Sequence, residues 1–72
     1  MEAHARRTLI LNYIRNFCTD QGRPPTPLQI RVGLRLRSNN LLNADLQAMV
    51  RAGRIARTDD RRFAVLDEEQ GT

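Results

Sequence analysis

Apolar residues recur with a helical period through the first fifty positions and with an alternating period after them. Ile10, Tyr13, Ile14 and Phe17 lie at spacings 0, 3, 4 and 7, which is one face of a helix. This predicts a helix from about Ala3 to Gln21, with Arg6, Arg7, Asn12, Arg15 and Asn16 mainly off the core face. Gly22 is free to take the left-handed conformation that stops a helix, and Pro24-Pro25 prevents its resumption.

The clearest helix start is Thr26-Pro27-Leu28-Gln29. Thr26 is suited to the N-cap, Pro27 has no N–H to lose at the first helical position, and Gln29 can reach back to the cap N–H. Ile30 and Leu34 are one turn apart and face a core, in a helix of about eight residues. A third helix opens at Ser38, a second N-cap candidate, and runs to Ala52, with Gly53 at the C-terminal cap position. Its stripe is Leu42, Leu46, Met49 and Val50. Arg51 in its last turn suits the negative end of the helix dipole.

The period then changes. Arg54–Arg57 and Arg62–Leu66 read as two short strands joined by a turn over Thr58-Asp59-Asp60-Arg61. Ile55, Phe63 and Val65 share the expected inner face. The elements are mainly α with a small β-hairpin, in the order of a three-helix winged helix-turn-helix. Residues 1–66 are expected to form that domain, and 67–72 an acidic, frayed tail.

Length and charge narrow the reading. Seventy-two residues make one domain with one small core. All 12 basic residues are arginine, and residues 1–66 hold them with five of the eight acids, a net charge of +7. Such a body suits a polyanionic partner, nucleic acid before an acidic membrane, because the arginines are spread over several elements and no helix has a strongly basic face.

Several classes drop out. One cysteine, Cys18, makes no internal disulfide, and with one histidine, His4, it makes no zinc set. Cys18 is expected to be a small buried or half-buried residue without redox work, and His4 to be exposed. There is no membrane-spanning stretch and no signal peptide, so a cytoplasmic protein is expected, nucleoid-associated if bacterial. Without a nucleophile–base pair, a metal set or a glycine-rich phosphate loop, neither an enzyme nor a cofactor is expected.

The second and third helices, joined by a short turn, are read as a helix-turn-helix, a pair expected to enter DNA. An α-helix fits the major groove, its first residues meet base edges, and neighbouring groups hold phosphates. Burying Leu42, Leu46 and Met49 turns Asn40, Leu41, Asn43, Ala44 and Gln47 outward, a face that is uncharged, polar and small. Asparagine can pair bidentately with adenine. Arg35 and Arg37 flank that face in the turn, and Arg54, Arg57, Arg61 and Arg62 bracket the wing. Base readers surrounded by phosphate holders is the expected division of labour. Arg6 and Arg7 stay open between a solvated surface and the DNA face.

From Ile10 to Ile55, about two thirds of the chain, the sequence resembles the N-terminal DNA-binding domain of the LexA repressor family. The matching residues are Gly22-x-Pro24-Pro25-Thr26, Ile30-x-x-x-Leu34, Arg37-Ser38-x-Asn40, Leu46-x-Ala48 and Gly53-x-Ile55, with no gap needed. The resemblance implies base reading by Ser38, Asn40, Leu41, Asn43 and Ala44, to which the helix face adds Gln47. Ser38 and Asn40 keep the family's residues. Leu41, Asn43 and Ala44 stand where the family usually has a small residue followed by acidic ones, so the family's operator is not implied. Arg35 stands where the family has a turn glycine, which implies a strained or differently shaped turn.

LexA repressors carry a second domain that dimerises and cleaves itself through a Ser/Lys pair. This chain ends after the wing and holds no lysine, so self-cleavage and a damage response are not implied.

A DNA-binding repressor or regulator is therefore the leading expectation, with duplex DNA as partner and a homodimer on two half-sites for strong specificity. The alternative is a winged-helix protein-interaction module, an accessory or inhibitory factor of the kind a phage could encode against a host protein. Leu11, Val32, Leu36 and Leu41 fall outside the core stripes, and Val32, Leu36 and Leu41 motivate that alternative.

Overall fold

Each helix begins at a side chain that replaces the missing turn. In the computed structural model, which describes residues 2–66, the elements are α1 (Ala3–Gln21), α2 (Pro27–Gly33), α3 (Asn39–Arg51), β1 (Ile55–Arg57) and β2 (Phe63–Val65). The acidic tail expected at 67–72 lies outside the described residues. The carboxylate of Glu2 caps α1 by accepting from the His4 and Ala5 N–H groups at 2.9 and 3.2 Å. Thr26 and Gln29 form the reciprocal capping box on α2, at 3.2 and 2.8 Å. The Ser38 hydroxyl accepts from the Leu41 N–H at 3.1 Å at the start of α3.

All three helices stop on a left-handed residue. Gly22 (φ 77°) follows α1, with its N–H donating to the Cys18 carbonyl. Gly53 (φ 76°) follows α3, and Arg35 (φ 56°) follows α2. The turn is thus of the expected helix-turn-helix kind, with an arginine in the left-handed position.

The core is Ile10, Leu11 and Ile14 from α1, Ile30 from α2, Leu42, Leu46 and Met49 from α3, and Ile55 and Phe63 from the hairpin. Tyr13, Leu34, Leu36 and Val65 pack partly against it. Several sequence expectations need correction. Leu11 is buried, because α1 packs against α2, α3 and β2 and so covers more than one narrow stripe. Phe17 is only half-buried and tilts against Tyr13, with ring centroids 5.8 Å apart. Val50 is 39% exposed, and Cys18 lies on the solvent side of α1 rather than buried or half-buried. Val32 and Leu41 are exposed, whereas Leu36 is partly covered by the core, which removes one of the three residues put forward for a protein contact.

The hairpin pairs Ile55 with Val65, Ala56 with Ala64 and Arg57 with Phe63. So short a ribbon is not stable alone. It is tied to the α1–α2 loop, where the Phe63 N–H donates to the Pro25 carbonyl and Arg62 Nη1 donates to the Pro24 carbonyl, each at 3.0 Å.

Among the described residues, one charged side chain sits in the core. Asp45 of α3 is fully buried. Arg6 grips its carboxylate with Nε on one oxygen and Nη2 on the other, and Arg7 Nε adds a bond at 2.8 Å. Arg6 thus serves a buried contact, and Arg7 makes the same contact while its side chain still meets solvent. Burial pushes the Asp45 carboxyl up, but the hydrogen bonds from Arg6 and Arg7 prevail and hold it below the usual aspartate value.

A domain of this length is stable by roughly 4–11 kcal/mol. Asp45→Asn keeps the side-chain size, removes the buried negative charge and turns one of the two acceptor oxygens into an NH2 that opposes the guanidinium groups. The expected cost is about 2–3 kcal/mol, less than for a dry pair because Arg7 still meets solvent. Thermal melts followed by circular dichroism should show a fall in Tm of at least about 8 °C. An unchanged Tm would remove the clamp from the account. The folded Asp45 value is depressed, so its contribution is present above the unfolded value of about 3.9 and is lost as pH falls through the folded value. The Tm gap between the parent chain and Asp45→Asn should therefore narrow in melts below about pH 3.9.

Candidate nucleic-acid interface

Which face α3 offers to solvent follows from what it buries. Leu42, Asp45, Leu46 and Met49 point inward. This stripe is rotated from the expected one: Asp45 is in and Val50 is out, because the carboxylate is neutralised by two arginines from α1. The outer face carries Asn40, Leu41, Asn43, Ala44 and Gln47, all exposed. Ser38 is half-buried at the cap, its oxygen already accepting the Leu41 N–H. The six expected base readers therefore stand at the cap and on the outer face of one helix, free of acidic residues.

Of the six arginines expected on phosphates, Arg35, Arg37, Arg54, Arg57 and Arg61 are exposed, and their guanidinium groups have no partner among the described residues. Arg35 and Arg37 stand in the turn before α3, and Arg54 at the foot of the wing. Arg62 differs. Its side chain is only 16% exposed, its Nε donates to Asp60 at 2.9 Å, and its Nη1 donates to the Pro24 carbonyl. It works as a strut that holds the wing to the loop. The Asp60 carboxyl is held below its usual value, chiefly by the Thr58 hydroxyl, against desolvation and with further help from Arg62. It stays ionised at neutral pH and neutralises that strut.

A groove of about 560 Å3 runs between α3 and the wing. Asn43, Gln47, Val50 and Arg51 line it from the helix, and Arg57 and Arg61 from the wing. Two base-reading candidates and two phosphate candidates thus share one concavity. Arg51, besides standing at the negative end of the α3 dipole, joins this basic rim. Val50, read as core, is part of the groove wall. The signal for both was Asp45, an acid three residues after Leu42 and adjacent to Leu46 on the buried face. A charge there needs partners, and satisfying it turns the helix.

Among the described residues no helix is long and apolar enough to cross a membrane. No curated protein sequence matches the chain. The family model of the LexA DNA binding domain matches residues 2–63, which spans all three helices and the hairpin up to the first residue of β2. With the helix-turn-helix, the wing and the outward polar face of α3 in place, the chain belongs to the LexA DNA binding domain family, a DNA-binding regulatory fold and not an enzyme family.

Proposed function

We propose that this DNA-binding regulator is a repressor that seats the start of α3 in the major groove. The observation that carries the reading is the uncharged polar face of α3 between two sets of arginines without partners among the described residues. Ser38, Asn40, Asn43 and Gln47 meet base edges, Leu41 meets a thymine methyl, and Ala44 lets the helix approach closely. Arg35, Arg37, Arg54, Arg57 and Arg61 hold phosphates, while Arg62 supports the wing from within. The arginines supply affinity without sequence preference, and the helix face supplies preference.

One such domain covers a small interface, so tight specific binding calls for two copies on two half-sites. Repression follows in the simplest way, by occupying DNA that another protein needs.

Fluorescence anisotropy with a mixed-sequence duplex tests the electrostatic part. Five phosphate contacts predict a slope of log affinity against log salt of roughly −4 to −5. A slope near zero would refute the arginine assignment. A preferred site is then found by selection from random duplexes. The double variant Asn40→Ala/Asn43→Ala should lose about 2–6 kcal/mol of preference for that site while its binding to unrelated duplex is unchanged. Full retention of the preference in that variant would sink the assignment of α3 as the reader.

A further inference from the structure

The backbone asks for glycine at two places and the chain supplies arginine at both. Among the described residues, Arg35 (φ 56°) and Arg61 (φ 65°) are the non-glycine residues with positive φ. A side chain is disfavoured there, and glycine is the residue such positions ordinarily take.

The chain contains its own control. After α3, the Gly53 N–H donates to the Val50 carbonyl and the Arg54 N–H to the Met49 carbonyl. After α2, the Arg35 N–H donates to the Val32 carbonyl and the Leu36 N–H to the Arg31 carbonyl. These are the same two-bond cap in the same register, and its left-handed position is Gly53 in one and Arg35 in the other. Arg61 holds the equivalent place in the wing. The Thr58 N–H donates to the Arg62 carbonyl and the Arg61 N–H to the Thr58 carbonyl, which leaves a three-residue connection ending on Arg61. Hairpins of that length favour glycine at the left-handed residue.

The backbone bonds that close each turn would form with glycine as well, and no side-chain contact among the described residues offsets the strain of an arginine there. Both side chains are exposed and neither guanidinium has a partner there. Strained residues persist where their side chains are needed. Arg35 lies three residues before the Ser38 cap of α3. Arg61 lies across the groove from Asn43 and Gln47. We infer that Arg35 and Arg61 are the two principal phosphate clamps of the interface, one on either side of the reading helix, and that arginine is kept in glycine positions because each turn aims its guanidinium at the DNA backbone. The inference rests on the DNA-binding reading above and says which of its five arginines matter most.

The test uses the full chain, a mixed-sequence duplex, and the variants Arg35→Gly, Arg61→Gly, Arg35→Lys and Arg54→Ala. Each glycine variant should melt higher, by on the order of 4 °C. Each should also bind roughly eightfold more weakly at about 0.1 M salt, with a salt slope shallower by about one. Arg35→Lys keeps the charge and the strain but loses the planar fork, so it should melt like the parent, keep the parent's salt slope and bind with an affinity between those of the parent and Arg35→Gly. Arg54→Ala, which removes an arginine from relaxed backbone, should lose less than either glycine variant. Glycine variants that melt higher but bind like the parent would overturn the inference and leave the DNA reading intact. Glycine variants that melt no higher would overturn the premise of strain, and an Arg54→Ala loss as large as theirs would overturn the ranking. A parent chain that binds no duplex would instead overturn the DNA reading, and the clamps with it.

Discussion

The rotation of α3 about its own axis depends on one buried carboxylate. Asp45 is enclosed in the core with Arg6 and Arg7 on its oxygens. A helix that buries Leu42, Asp45, Leu46 and Met49 presents a different face from one that buries Leu42, Leu46, Met49 and Val50. The first arrangement puts Val50 into the wall of the groove and sets Asn43 and Gln47 opposite the wing arginines. A buried charge is costly without partners and directional with them, so it fixes orientation in a way that leucines alone do not.

The arginines divide by what they touch, and their numbers alone do not reveal the division. Arg6 and Arg7 neutralise Asp45 inside the fold. Arg62 holds the wing to the Pro24 carbonyl and to Asp60. Arg35, Arg37, Arg54, Arg57 and Arg61 remain facing solvent. A net charge of +7 over residues 1–66 therefore overstates the cations left facing solvent around α3 and the wing, and the spatial sorting matters more than the sum.

Local chemistry was legible in the sequence. The capping box at Thr26 and Gln29, the Ser38 cap, the left-handed Gly22 and Gly53 and the change of period at the hairpin all depend on near neighbours, and all are present. The helix-turn-helix followed from their order, and Arg35 in a glycine position was visible as a departure from the family pattern. Long-range consequences were not legible. Asp45 finds its partners 38 and 39 residues away, and only that pairing explains why it is buried and Val50 is not. Leu11 depends on α1 having neighbours on more than one side. Arg62 reads as one more wing arginine until the Pro24 carbonyl is placed beside it. Cys18 is a small residue near the end of a helix, and which side of the helix is covered there is a tertiary matter. The exposed face of α3 came out as expected because Leu42, Leu46 and Met49 belong to both versions of the stripe.

The tie between the wing and the Pro24–Pro25 loop bears on how the chain acquires its shape. Proline carbonyls accept hydrogen bonds while their ring nitrogens leave no donor to satisfy, so the loop is a one-sided docking rail for β2. The Phe63–Pro25 bond spans 38 residues, and so does the Arg7–Asp45 bond. Both close late along the chain and link its first third to its last half. Helices alone form quickly from local contacts, but here neither α1 nor the wing reaches its place until distant segments meet. Synthesis from the N-terminus would thus complete α3 before the wing that flanks it, and the groove between them would come into being in one cooperative step, when the last strand reaches the prolines.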